Sequence, residues 1–292
     1  MGQPKVSKIL VIGDVIEDVI VIPSSEIRPN TDTESTIHKS TGGQAANVAS
    51  WLSYLGIATS FVGCVGLTDL KRLSDQLSQH GVETKLQTSL KPTGSLVVLV
   101  QGESRSMLTD RGANLDLKLS DIDSNGFSVV YLSGYSLLGR SFEELAAFAV
   151  SVKSSGALLA IDPGSYGFIK DHGVAGFRKL LMLADLVFPN EEEEELLKLS
   201  THVPLALVTR GSFGAKAIWA AGAALEVPGK SAALTDPTGA GDAFCAGFLA
   251  RLLGDPSFQK LSSEAVQKAL ESGVEAGSRA VQLVGASPSF KS

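Results

Sequence analysis

Residues 236–253, DPTGAGDAFCAGFLARLL, decide the reading of the chain. Phe244, Phe248 and Leu252 recur at i, i+4 and i+8 and so share one face of a helix. Gly239 and Gly241 then fall at its N-terminus, where backbone N–H groups lack intrahelical acceptors and the dipole adds partial positive charge. Such a terminus takes an anion, most naturally a phosphate. Gly239, Ala240 and Gly241 make the turn, and Asp242 sits in the first turn at its mouth. The pattern suits phosphoryl transfer: the turn holds the phosphate and the acid handles an incoming hydroxyl. Glycine-rich turns and dipole-favouring acids also open helices that do no chemistry, so the residues alone leave both readings open. The Walker A pattern GxxxxGK[ST] occurs nowhere in the chain.

Outward from this stretch, strands and helices alternate. Strands are expected at 8–13, 14–23, 34–39, 57–62, 94–100, 105–108, 129–132, 157–161, 186–188 and 205–209, with a hairpin of 215–219 and 224–227. Helices are expected at 43–55, 69–80, 142–153, 174–183, 190–199, 240–253 and 263–284. This order predicts an α/β fold with a mostly parallel sheet covered on both faces. Two β-rich patches, 16–39 and 94–110, have no helix to cover them. They are expected to pair with each other, and their exposed edge invites a second copy, hence a homodimer.

The bulk numbers exclude some classes. The chain has 292 residues, 25 basic against 31 acidic, for a net charge of −6. No basic stripe is present, which argues against nucleic acid as a partner. The four histidines show no metal-ligand spacing, and Cys64 and Cys245 form no CxxC pair, which fits a reducing cytoplasm. No apolar run reaches membrane-spanning length, and the N-terminus lacks a signal-peptide core. The expectation is a cytoplasmic protein with no membrane association.

DPTGAGDAF resembles the C-terminal motif of the ribokinase/PfkB-type carbohydrate kinases. Residues 41–56, TGGQAANVASWLSYLG, resemble that family's N-terminal GG-containing motif. The resemblance implies one ribokinase-like domain over 1–292, three-layered as α/β/α, with 16–39 and 94–110 as a small β lid. It also implies an ATP-dependent, Mg²⁺-requiring kinase acting on a primary hydroxyl of a sugar or sugar derivative. A nucleoside kinase of the same fold, pseudouridine included, is the alternative. A non-catalytic sugar- or nucleotide-binding sensor is the alternative of another class, against which an intact Asp242 argues.

Each further site residue carries a plain reading beside the implied one. Asp18 reads as a turn acid; the resemblance makes it a ligand for substrate hydroxyls, since a carboxylate accepts two vicinal hydroxyl hydrogens. Gly42 and Gly43 read as a helix-opening turn, or as a close approach to a sugar with Asn47 turned toward it. Tyr135 is a strand-end aromatic, or a ring that stacks on substrate. Arg105 and Arg111 are surface cations by default, and Arg111 on the site would meet a substrate phosphate or carboxylate bidentately. Asn190 and Glu193 match a capping box; the resemblance assigns Asn190 to ATP and Glu193 to Mg²⁺ through water. It likewise assigns Thr209, Gly211 and Gly214, together with Gly239 and Gly241, to the nucleotide. Asp236 and Thr238 would take a monovalent cation such as K⁺, with 285–287 as the partner loop. Ile16 and Gln44 stand where ribose-specific relatives use Asn and Lys, and Tyr135 falls near their Glu, so free ribose is not the expected substrate.

Overall fold

In the run KILVI every residue after the lysine is apolar, which suits a strand with no solvent face. It forms β1 (Lys8–Ile12) in the computed structural model, which describes residues 8–102 and 104–288. Ile9 and Val11 enter one buried cluster, Leu10 and Ile12 the other. A period of two thus splits the interior into two layers on either side of the sheet.

Among the described residues fourteen further strands follow: β2 (Ile16–Pro23), β3 (Ser35–Gly42), β4 (Ala58–Val62), β5 (Cys64–Gly66), β6 (Glu83–Thr84), β7 (Gln87–Ser89), β8 (Gly94–Gln101), β9 (Ser104–Asp110), β10 (Val129–Ser133), β11 (Leu158–Asp162), β12 (Leu186–Val187), β13 (Leu205–Thr209), β14 (Ala215–Trp219) and β15 (Ala224–Val227). The helices are α1 (Gln44–Tyr54), α2 (Leu70–Gln79), α3 (Phe142–Ser154), α4 (Tyr166–His172), α5 (Val174–Leu181), α6 (Glu191–Leu197), α7 (Ala240–Leu253) and α8 (Ser263–Ala280). The main sheet runs β15-β14-β13-β12-β11-β10-β1-β4-β6. Its pairs are parallel from β6 to β13, and β14 and β15 close one edge antiparallel. Helices α1, α2, α7 and α8 line one cluster, and α3 to α6 line the other. The architecture is a three-layer α/β/α fold.

The two helix-free patches pair in a second sheet, β3-β2-β8-β9. β2 and β8 run parallel, with Ile16 opposite Gly94. β3 and β9 flank them antiparallel. β9 is exposed along its whole length, and Ile37, Met107 and Leu108 are open to solvent. β5 and β7 form a small pair of their own.

Most expected helices shift by a residue or two at an end, and three departures have an identifiable cause. The segment 174–183 is preceded by an unforeseen helix, α4, and Gly173 separates α4 from α5 at φ 91. The acidic helix stops at Leu197 because Lys198 turns left-handed at φ 51. The last helix ends at Ala280, not 284, where the Val281 carbonyl accepts the backbone N–H groups of Thr235 and Asp236. That contact anchors the turn before α7 to the end of α8.

α7 and α8 approach closely because of glycine. A methyl group on Gly247 would lie 2.6 Å from the Ala276 Cβ and 2.6 Å from the Ser272 carbonyl oxygen. Gly247→Ala should therefore destabilise the fold by about 1–3 kcal/mol, the usual cost of overpacking. A urea melt reads this directly; an unchanged midpoint would show that the two helices separate at no cost.

Candidate active site

Parallel α/β sheets bind ligands beyond the carboxyl ends of their strands. Here that edge carries Asp14, two residues past β1, with Ser133 ending β10 and Asp162 ending β11. Asp14 is 1% exposed. Its Oδ2 accepts the Gln44 N–H at 3.0 Å, and its Oδ1 accepts the Ala45 N–H at 3.4 Å. It thus caps α1 from another element, since the N-cap residue Gly43 has no side chain to do so. The Ser133 hydroxyl lies 2.8 Å from Asp14 Oδ1 and 2.6 Å from Gln44 Oε1. Gln44 donates from Nε2 to Asp162 Oδ1 at 2.6 Å. Gln44 is thereby spent on the protein.

Asn47, one turn along α1, donates from Nδ2 to Asp242 Oδ2 at 2.8 Å, and its Oδ1 accepts from Ser287 Oγ at 3.1 Å. Its amide therefore orients Asp242 and the 285–287 loop. Asp242 is half-buried in the first turn of α7. Burial pushes its carboxyl up to about 7; the Asn47 hydrogen bond opposes this, and the charges of Asp14 and Asp18 reinforce it. Ala240 N–H is taken by Pro237 O and Ala243 N–H by Gly239 O. Between them, the N–H groups of Gly241 and Asp242 are the orphan donors of a helix start.

Gly239 has φ 77, and a Cβ there would sit 2.5 Å from the Ala286 carbonyl oxygen. Only glycine fits, and the Ala286 carbonyl is itself fixed by Trp51 Nε1 at 2.9 Å. A Cβ on Gly241 would meet nothing within 4 Å. Asp236 holds the turn from below: Oδ1 accepts the Thr238 N–H and hydroxyl, and Oδ2 the Gly285 N–H at 3.1 Å. Arg105 of β9 reaches to 3.3 Å from Asp236 Oδ1, so the small sheet touches this turn. Burial works to raise the Asp236 pKa, but the bonds from Thr238, Gly285 and Arg105 outweigh it and hold it below the usual range.

Asp18 lies on β2 with its carboxylate against Gly42; a Cβ on Gly42 would fall 2.0 Å from Asp18 Oδ2. Glycine at 42 is what admits the carboxylate. Burial first, and Asp14 second, push Asp18 up to about 6. Its Oδ1 is buried without a hydrogen-bond partner. Tyr135 is half-buried, with the Arg111 guanidinium 4.6 Å from its ring centroid and Phe168 edge-on at 5.8 Å. Arg111, a surface cation by default and otherwise a candidate substrate-binding residue, is 8% exposed.

Asn190 and Glu193 form a reciprocal capping box, each bond 2.9 Å. Glu193 is 3% exposed, and burial pushes it up to about 7 against the Asn190 bonds. Thr209 bridges to Asn190, which brings the turn 211–214 beside the start of α6. Asp162 connects the two halves. Burial, then Glu193 and Asp242, hold its carboxyl well above the usual range. Asp18, Gly42, Gly43, Asn47, Arg111, Tyr135 and Asp242 thus gather at one end of the sheet, with Asn190, Glu193, Thr209, Gly211 and Gly214 beyond Asp162. Sequence reading passed over Asp14, Ser133 and Asp162. The available signal was a polar residue closing or following an apolar strand.

A family model described as pfkB family carbohydrate kinase matches residues 6–292. The chain belongs to the pfkB family of carbohydrate kinases, which are ATP-dependent phosphotransferases. It is 29% identical over 248 residues to an ATP-dependent ribose-1-phosphate kinase of Halopiger xanaduensis, covering 80% of this chain and 81% of the relative. The structure of an uncharacterized sugar kinase from Pyrococcus horikoshii superposes with TM-score 0.79 at 27% identity, over 96% and 93% of the two chains. Adenosine kinase from Sinorhizobium meliloti shares the fold at TM-score 0.80 and 22% identity, over 98% and 96%.

If Asp242 serves as a base it must be ionised, so kcat/KM should then fall tenfold per pH unit below about 7, the value to which it is raised. Asn47→Ala removes a bond that favours the ionised form and should move this limb to higher pH. Asp18→Asn removes a neighbouring negative charge and should move it lower. A limb that both variants leave in place would assign it to another group.

Proposed function

We propose that the chain transfers the γ-phosphoryl group of MgATP to a hydroxyl, most naturally a primary one, of a sugar or sugar derivative. The observation that carries this is Asp242, a carboxyl raised to about 7 and bonded to Asn47, beside the orphan N–H groups of Gly241 and Asp242. The transferred group carries its charge on equatorial oxygens, and fixed N–H donors stabilise that charge at no reorganisation cost. Asp242 orients the acceptor hydroxyl in line and takes its proton late. Asp18 and the Gly42–Gly43 turn hold the substrate's other hydroxyls. Asn190, Thr209, Gly211 and Gly214 form the nucleotide side of the same reading. The small sheet, reaching the anion turn through Arg105, acts as the lid.

Mg²⁺ held on the ATP phosphates would neutralise their charge and would keep several waters. This fits the acids present. Among the described residues no group of three His, Cys, Asp or Glu is placed to cage a metal, and Glu193 already accepts from the Asn190 N–H. Glu193 would therefore act on such an ion through water. Asp236 does not fit a monovalent-cation site as the chain stands: Arg105 supplies positive charge to it, and Thr238 and Gly285 donate to its oxygens. A cytoplasmic location accords with ATP use and with the buried free thiols of Cys64 and Cys245. Among the described residues, no helix is long and apolar enough to cross a membrane.

Asp242→Asn keeps size and most hydrogen bonding while removing charge and basicity. Turnover should drop by roughly 10²–10⁴, with ATP affinity held or raised because a negative charge beside the phosphate is gone. Near-normal turnover in an ADP-release assay would rule out the assigned role.

The exposed edge and face of the small sheet favour a homodimer through the lids, with Ile37 and Leu108 together on one face and Met107 on the other. Leu108→Glu should convert a dimer to a monomer in analytical ultracentrifugation. A wild-type protein that sediments as a monomer would remove this part of the proposal.

A further inference from the structure

We infer that the substrate carries an oxyanion, either a phosphate ester or a carboxylate, and that Arg111 receives it. This rests on the phosphotransferase reading above and narrows its substrate class. Arg111 directly follows β9 and is 8% exposed. One of its nitrogens, Nη1, faces Asp14 Oδ2 at 3.8 Å, too far for a hydrogen bond. The other two, Nε and Nη2, are buried without a partner. Nε and Nη2 lie side by side on one edge of the planar group, with parallel N–H bonds. That edge is the fork that meets a carboxylate or phosphate bidentately.

A counter-ion role for Asp14 does not explain this arrangement. Asp14 already accepts from Gln44, Ala45 and Ser133, and a guanidinium placed to serve it would turn its fork toward it. Arg111 is also held in place before any ligand arrives. The Asn114 amide takes the Val15 N–H at 3.2 Å and donates to the Val15 and Arg111 carbonyls, while the Tyr135 ring forms a shelf 4.6 Å from the guanidinium. Buried donors without acceptors are rare in folded proteins, so a fixed, unspent fork points to a ligand.

A second unspent group bears on the same conclusion. Asp18 Oδ1 is buried and unpartnered, yet neither a hydrogen bond nor an ion pair joins it to Arg111. A ligand with a hydroxyl for Asp18 and an oxyanion for Arg111 satisfies both. A neutral sugar or a nucleoside leaves the fork unpaired, and sites built to bond a polar group discriminate strongly against ligands lacking it. Arg111 beside the Tyr135 ring also argues against base stacking there.

The test is calorimetric titration without ATP, using matched probes: D-ribose and D-ribose 1-phosphate, D-fructose and D-fructose 6-phosphate, D-glucose and D-gluconate, and uridine. ADP release is followed in parallel. At least one anionic probe should bind about 10–100-fold more tightly than its neutral partner. Arg111→Gln should remove that preference, weakening the anionic probe far more than its neutral partner, and Arg111→Lys, which keeps charge without the fork, should restore only part. Whether phosphate or carboxylate responds identifies the source of the oxyanion. Neutral probes binding more tightly, no anionic probe binding, or a preference that survives in folded Arg111→Gln would each overturn the inference. If Arg111→Gln fails to fold, the wild-type preference and Arg111→Lys carry the same decision. Binding of an anionic probe without ADP release would count against the kinase reading and leave the anion assignment standing.

Discussion

The site depends on one buried carboxylate. Asp14 follows β1, an interior strand of the main sheet whose residues feed both core layers. From there it caps a helix thirty positions later in the chain through Gln44 and Ala45. A side-chain cap contributes about 0.5–2 kcal/mol, and this one also fixes orientation. α1 must sit with its first turn over the end of β1, which puts Asn47 against Asp242. Ser133 adds β10 to the same junction. Sheet, first helix and the acid on α7 are therefore positioned by a few hydrogen bonds sharing Asp14 as their origin.

The second constraint is electrostatic. Asp18, Asp162, Glu193 and Asp242 are all raised, and burial is the first cause in each case. Gathering acids where water is scarce costs stability, because the charged forms lose solvation. That cost is typical of sites whose function needs such groups. The positive elements set against them are mostly backbone N–H groups, with Arg105 and Arg111 the side-chain cations drawn into the site. A chain of net charge −6 can still bind phosphates under these conditions, because the attraction is local and oriented.

Much of the fold was legible because it follows from local pattern. Apolar runs such as KILVI permit no solvent face, and helical spacing at Phe244, Phe248 and Leu252 fixes the α7 face in the core. Boundaries were less legible where they depend on distant partners. The end of α8 is set by Thr235 and Asp236 bonding to Val281, and no property of the last helix alone reveals that. The break between α4 and α5 rests on Gly173 at φ 91, a conformation glycine permits without announcing it.

The sequence by itself determined the layer architecture, the glycine-rich start of α7 and the placing of Asp242 within it, since each needs only neighbours within a turn or a strand. It also contained the capping box of Asn190 and Glu193, a contact between residues three apart. Tertiary structure alone decided which groups are spent and which are free. Gln44 is consumed by Asp162 and Ser133, Asn47 by Asp242 and Ser287, while the fork of Arg111 and one oxygen of Asp18 are left over. Hydrogen-bond satisfaction is a property of atoms brought together from across the chain, and the same residue types would read identically in sequence whether or not their partners came within 3 Å.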